Sequence, residues 1–314
     1  MKSYIAFAGM LLLSGLFTGC AKEAADTTPS GIIDTYTLPQ GNHAFDAQIM
    51  SYYQKYGSYL LYKFSDRDAY WTPTAYTKPV ASSSGAWSAG VDVDMADTNY
   101  IAAQISLIQE KWFSYYSDAF LKKFLPSKIL LCSKIDSIYN GYVFTPVFAY
   151  IKNAKPIAAN YSYDNITVNF GRDTINSFTE LNKRDFLTKV NVEFIKSIGS
   201  RTLSVPPTTF TGLANYAATY TSQAAAYAQG ILLPYYNGLS AQADWNAYML
   251  AMVTYSEDEL NASVANYDMT ARGMLNVTKD TNGKIKTRYN MVRNYFINQY
   301  QVDLQKIGNA ARGK

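Results

Sequence analysis

Histidine is almost missing from this chain: His43 is the single one among 314 residues. Neutral imidazole is the usual ligand of catalytic zinc and the usual general base near neutral pH, so chemistry that needs two histidines is excluded. Cysteine is nearly as scarce, with Cys20 and Cys132 alone. Cys132 lies in the apolar run Ile129-Leu130-Leu131-Cys132 and reads as a small buried side chain. As a nucleophile it would need the lone histidine for its base. Charge is sparse as well. Asp, Glu, Lys and Arg make up 17% of the chain, and its net charge is only +4, with no basic arm or stripe addressed to nucleic acid. A Gly-rich phosphate loop, a G-x-S-x-G elbow and a dinucleotide fingerprint are also absent.

The apolar fraction of 48% is ample for a large core and excludes a disordered chain. Tyrosine is abundant, 28 residues within an aromatic content of 15%. That exceeds what a core uses, so many rings are expected half exposed with their hydroxyls in water, as suits surfaces that touch sugars or peptides.

The start of the chain reads as an address. Lys2, the apolar stretch from Tyr4 to Leu13 and the small residues up to Gly19 have the layout of a secretory signal, too short for a membrane span. Thr18-Gly19-Cys20 resembles a bacterial lipobox, although Phe17 stands where an aliphatic residue is usual. Residues 1–19 are therefore expected to be a lipoprotein signal, with Cys20 the lipidated first residue of the mature chain. Its acyl groups would hold the protein on a membrane at about 0.8 kcal/mol per buried methylene. Residues 20–42, rich in small and polar types, read as a tether. Lys22-Glu23 is similar to export signals that place Bacteroidetes lipoproteins on the outer face of the outer membrane; the expected location is the outer membrane, with either face open.

From His43 onward no linker, charge run or repeat appears, so residues 43–314 read as a single domain. Hydrophobic spacing predicts helices over Ala44–Tyr56, Thr98–Phe124 with Asp97 as N-cap, and Arg184–Ser197 ending at Gly199. It predicts four more over Ala224–Leu233, Ala241–Met252, Ser256–Tyr267 and Lys286–Tyr300. Extended segments are predicted at Tyr59–Phe64, Lys128–Cys132 and Ile166–Phe170, with short strands and turns between Tyr139 and Tyr163. Strands early and helices late make the class α+β, a small mixed sheet followed by a mostly helical C-terminal half.

Several fragments, taken in order, carry a family resemblance. These are the Phe45-Asp46 helix, the strand from Tyr59, Glu110-Lys111-Trp112, Pro126 before the strand at Ile129, Val205-Pro206-Pro207-Thr208-Thr209-Phe210, Ser256-Glu257-Asp258 and Gly283-Lys284-Ile285-Lys286. Met291-Val292-Arg293-Asn294-Tyr295 and Val302-Asp303-Leu304 complete the set. Together they resemble the Bacteroidetes lipoproteins called substrate import-associated zinc metallohydrolases, which are zinc-binding metallopeptidases of zincin-like fold. The family resemblance implies His-Glu-x-x-His on a helix, since residues four apart share a face and present two imidazoles to one zinc. The matching segment is Val192-Glu193-Phe194-Ile195-Lys196, so both histidines are lost and only the glutamate, Glu193, remains. Valine has no lone pair and an ammonium only donates, so neither ligates zinc. The family's later acidic helix reads Glu257-Asp258-Glu259-Leu260-Asn261, keeping Glu257 and Asp258 but not the closing acid. Lys196 is expected to occupy the space of the lost metal and to pair with Glu193, Glu257 or both. The plainer alternative is an exposed i, i+3 pair of Glu193 with Lys196.

Asp92-Val93-Asp94-Met95-Ala96-Asp97 only superficially resembles a calcium loop, lacking its glycine and distal glutamate, and reads as helix capping and exposed surface. Carboxylate pairs of glycosidase type have no positive support in the sequence. Tyr52-Tyr53, Trp112 to Tyr116, Tyr161 to Tyr163 and Tyr235-Tyr236 are candidate platforms, while Trp71 and Trp87, in a polar loop-like stretch, are the better candidates for binding. The expectation is a metal-free, cofactor-free accessory of a nutrient importer, its old cleft lined by an edge strand near Ile166–Phe170 and the helix of Glu193. Family resemblance implies a TonB-dependent importer and its substrate-binding lipoprotein as partners, with a peptide or glycan as ligand. A hydrolase with a changed site and a purely structural importer subunit are the rival readings.

Overall fold

The computed structural model describes residues 36–314, and one compact unit spans Leu38–Lys314. Residues 1–19 and Cys20, read as signal and lipid site, lie outside the described residues. No helix among the described residues is long and apolar enough to cross a membrane. Gln40 joins the folded body, because its Oε1 accepts the Tyr62 and Lys63 N–H groups at 2.9 and 3.1 Å.

Helix α1 (Asp46–Tyr56) ends on Gly57, whose φ of 75° is the left-handed conformation that glycine adopts without a Cβ clash. The chain then turns at once into β1 (Tyr59–Leu61), which is followed by α2 (Asp66–Tyr70), begun by a capping box of Ser65 and Asp68. Strand β2 (Gly90–Met95) takes up most of the suspected capping loop. Asp94 and Asp92 there face Lys134 at 2.7 Å and Lys152 at 3.4 Å, which is cross-strand pairing rather than helix capping.

The single helix expected over Thr98–Phe124 is broken in three: α3 (Ile101–Lys111), a 3-10 turn (Phe113–Tyr115) and α4 (Asp118–Phe124). Trp112 leaves helical geometry at φ −126°, ψ −70°, and the Ser117 hydroxyl accepts the Phe120 N–H to start the next helix. Apolar spacing runs through the break because Trp112, Tyr116 and Phe120 enter the same core in either arrangement. Asp97 is not the N-cap, which is Tyr100; its carboxylate instead accepts the Asn99 N–H at 2.9 Å.

Strand β3 (Lys128–Val143) is the backbone of the sheet, joined by β4 (Ala149–Pro156), β5 (Ala159–Ser162) and β6 (Asn165–Val168). The first part of β3 lies between β1 and β6, parallel to both, and β5 closes that path antiparallel to β6. Its second part pairs antiparallel with β2 and β4. Ile129–Cys132 and Asn165–Val168 are buried throughout, as suits strands covered on both faces. The edge strand that meets α5 is β5; the expected edge at Ile166–Phe170 falls mostly on β6, an interior strand.

Every named element after β6 is helical: a 3-10 turn (Asp173–Ser177), α5 (Glu180–Ser200), α6 (Thr208–Thr211), α7 (Gln223–Tyr227), α8 (Ala241–Thr254), α9 (Glu257–Asn261), α10 (Lys284–Tyr300) and α11 (Leu304–Ala311). This is the α+β arrangement read from the sequence, a mixed sheet early and helices late. Helices expected over Ala224–Leu233 and Ser256–Tyr267 are each only five residues long. The second stops because the chain folds back, with Gly273 and Leu275 donating N–H to the carbonyls of Glu259 and Leu260. Helix α5 packs on β5, β6 and α3 on one side and on α8 and α11 on the other, so it joins sheet and helical half in one core.

Candidate functional site

Glu193 sits on α5, whose start is set by a capping box of Thr179 and Asn182. Phe186, Leu187, Val190, Phe194, Ile195 and Ile198 form the buried face of that helix. Gly199 does not end it, contrary to expectation. A Cβ there would meet the Asn246 side chain at 2.6 Å, so the glycine serves the close approach of α8 while helical geometry continues to Ser200.

Both oxygens of Glu193 are engaged within the chain. Oε1 takes the Lys196 ammonium at 2.6 Å and Oε2 accepts the Tyr161 backbone N–H of edge strand β5 at 3.0 Å. Helix α5 is thereby stitched to the sheet at a point where an edge N–H would otherwise need water or another strand. The Glu193 side chain is 17% exposed and that of Lys196 51%. The pair is therefore half sheltered, and Lys196 does not fill a closed cavity between carboxylates. Val192 packs against the core.

Glu257 and Asp258 are not brought to this pair. Glu257 receives the Arg293 guanidinium at 3.8 Å, its N–H goes to Asn309, and Asp258 is paired with Lys314. Together with Glu259, which caps its own helix and binds Arg312 at 2.9 Å, they fasten α9 to the C-terminal helices. Of the carboxylates expected around Lys196, only Glu193 is there.

Beside the pair lies a cleft of about 620 Å³, lined by Tyr161, Tyr163, Thr72, Thr74, Ser200 and Arg201. Trp71 stands at its rim, adjacent to Thr72 in the chain, with its ring edge-on to Tyr163 at 5.9 Å and 42% exposed. Arg201 closes one end. Its guanidinium donates to the carbonyls of Ser197, Leu125 and Phe124, and burial pulls its pKa below the usual value. Trp87 lies elsewhere, bonded through its backbone to Asn140 and covered by Lys152 at 4.4 Å from the ring centre. The candidate platform Tyr161 to Tyr163 does line the cleft, whereas Arg201, two residues past Gly199, carries no sequence signal for a site. His43 stacks on Phe45 at 4.9 Å. Cys132 is buried in β3, and burial pushes its thiol far above the usual range, so it is no nucleophile.

A zinc ion does not suit these residues. Val192 and Lys196 offer no lone pair, and Glu193 has both oxygens committed. Among the described residues no group of three or more His, Cys, Asp or Glu side chains is arranged to hold a metal.

No protein-family model and no curated protein matches the chain. Among solved structures it is similar to a proposed zinc-binding metallo-peptidase from Bacteroides caccae. That likeness has a TM-score of 0.45 and 13% sequence identity, and it covers 86% of this chain and 93% of that chain.

Proposed function

We propose that this protein is a non-catalytic binding protein: a zincin-like scaffold without zinc ligands, whose cleft beside β5 holds a peptide or glycan that is not cut. The carrying observation is that Glu193, the sole remnant of the hydrolytic motif, spends both carboxylate oxygens on Lys196 and the Tyr161 N–H. A general base must reach a water or substrate proton with a free oxygen, and this one holds a helix to a strand. The Trp71 and Tyr163 rings supply apolar contact at the cleft rim, with Ser162, Thr72 and Thr74 as hydroxyl groups beside them.

In this proposal Cys20 carries the lipid, the body stands at the outer membrane, and the protein serves a TonB-dependent importer of peptides or glycans as an accessory. The lipobox-like Thr18-Gly19-Cys20 and the Lys22-Glu23 pair support that placement. The test uses the full-length protein, equilibrated with zinc and then exchanged into metal-free buffer, with hydrolysis of casein and of oligosaccharides measured alongside. The expected result is no zinc near one per chain and no hydrolysis, in wild type and in Glu193→Gln alike. The substitution should lower stability by about 1 kcal/mol or less, as for a half-exposed ion pair. Zinc retained at one per chain, or hydrolysis that disappears in Glu193→Gln, would overturn the proposal.

A further inference from the structure

A second cavity, of about 400 Å³, lies in the helical half between the loop carrying Tyr216, Thr219 and Tyr220 and the loop carrying Tyr235, Tyr236 and Asn237. None of its lining side chains carries a charge. The Tyr216 and Tyr220 rings are held by their own hydroxyls. Tyr216 donates to Asp244 at 2.9 Å and accepts from Arg288, while Tyr220 donates to the Asn215 carbonyl at 2.6 Å. Asp244 and Arg288 are fully buried and paired with each other at 2.6 Å, so their charges are spent behind the wall and not offered to a ligand.

The opposite loop is fixed through its backbone. Gln223 accepts the Tyr235 N–H at 3.1 Å and donates to the Leu233 carbonyl, and the Asn237 N–H goes to the Pro234 carbonyl. Its side chains stay available. Among the described residues no hydrogen bond engages the hydroxyls of Tyr235 and Tyr236 or the Asn237 amide, and Tyr236 is 65% exposed. Two rigid rings therefore face two rings with unused hydroxyls, in a pocket of the size that holds small ligands.

We infer that this tyrosine-lined pocket binds a neutral oligosaccharide. Sugar rings have apolar C–H faces that lie on aromatic side chains, and hydroxyls that pair with uncommitted tyrosine hydroxyls and an amide. Without a cation or a carboxylate in its lining, the pocket gives an acidic or basic ligand no partner. Rings held before binding keep the ordering cost low. The site shares no lining residue with the Glu193 cleft and stands whether or not that cleft binds anything.

The test is calorimetric titration of the full-length protein with maltohexaose, cellohexaose, xylohexaose and mannohexaose, with polygalacturonate as the charged comparison. At least one neutral hexasaccharide should bind saturably. The paired substitution Tyr235→Ala with Tyr236→Ala should weaken it about tenfold or more, Tyr236→Phe, which keeps the ring and removes one hydroxyl, should weaken it by a smaller factor, and Trp71→Ala should leave it unchanged. Circular dichroism checks that the variants remain folded, as expected for loop side chains outside the core. No binding of any neutral hexasaccharide, preference for polygalacturonate, or affinity lost in Trp71→Ala but kept in the tyrosine variant would each overturn the inference.

Discussion

Asp244 and Arg288 form a fully buried ion pair at 2.6 Å, joined by the Tyr216 hydroxyl, the Leu232 N–H and the Gly230 carbonyl. Removing one partner strands the other charge in the core, where desolvation is no longer offset. Arg288→Met is expected to cost about 3–5 kcal/mol in a urea unfolding titration, and Arg288→Met combined with Asp244→Leu to recover part of that loss. An equal loss in the single and double variants would show that packing, not the stranded charge, sets the cost. Neither residue stands out in the sequence, because a charged side chain in a helical pattern reads as exposed. Glu193 and Lys196 are the converse case. Their spacing was legible as an i, i+3 pair, but the Tyr161 N–H that takes the other oxygen lies 32 residues away on a strand.

Close approach between elements is governed by small residues. On α11, Gly308 lies against the Met252 and Tyr255 carbonyl oxygens at the end of α8, so closely that a Cβ would overlap both. Backbone oxygens at a helix end cannot swing away as a side-chain tip can, so α11 itself would have to move. Gly308→Ala should therefore destabilise the protein by about 1–3 kcal/mol despite the better helix propensity of alanine, read as a fall in the urea midpoint. An unchanged midpoint would mean that α11 shifts freely on α8. Gly199 is the milder case, since it faces the Asn246 side chain of α8 rather than backbone, and that close approach accounts for a glycine read as a helix stop lying inside α5. The break at Trp112 shows the opposite limit: apolar spacing reports which side chains reach the core, and it is silent on whether the backbone between them stays helical.

At the scale of the whole molecule, tyrosine burial couples stability to alkaline pH. Burial raises Tyr116 and Tyr248 well above their usual value and pushes Tyr289 up to about 12. In the unfolded chain these hydroxyls lose their protons near pH 10. A raised folded value means that the folded state holds protons the unfolded state has released. The stabilisation is therefore complete below about pH 10 and is lost as pH rises through the folded values. Melting temperature should be insensitive to tyrosine ionisation near neutrality and fall steeply above about pH 10, with part of the tyrosinate absorbance appearing only as helical ellipticity is lost. Gradual ionisation of every tyrosine with the helices intact would refute the coupling.

Composition and hydrophobic period determined by themselves the class of the fold, the buried runs at Ile129–Cys132 and around Phe194, and the exclusion of chemistry that needs two histidines. Those are local properties, since a missing lone pair cannot be restored by folding and an apolar run has to be buried somewhere. Only the tertiary structure decided which edge strand meets α5, what holds Glu193, that Glu257 and Asp258 serve α10 and the C-terminal end instead of the cleft, and that the Tyr235-Tyr236 pair shares a pocket with Tyr216 and Tyr220. Each of these is a contact between residues far apart in the chain, chosen by packing and by the pairing of backbone and buried charge, for which sequence spacing holds no signal.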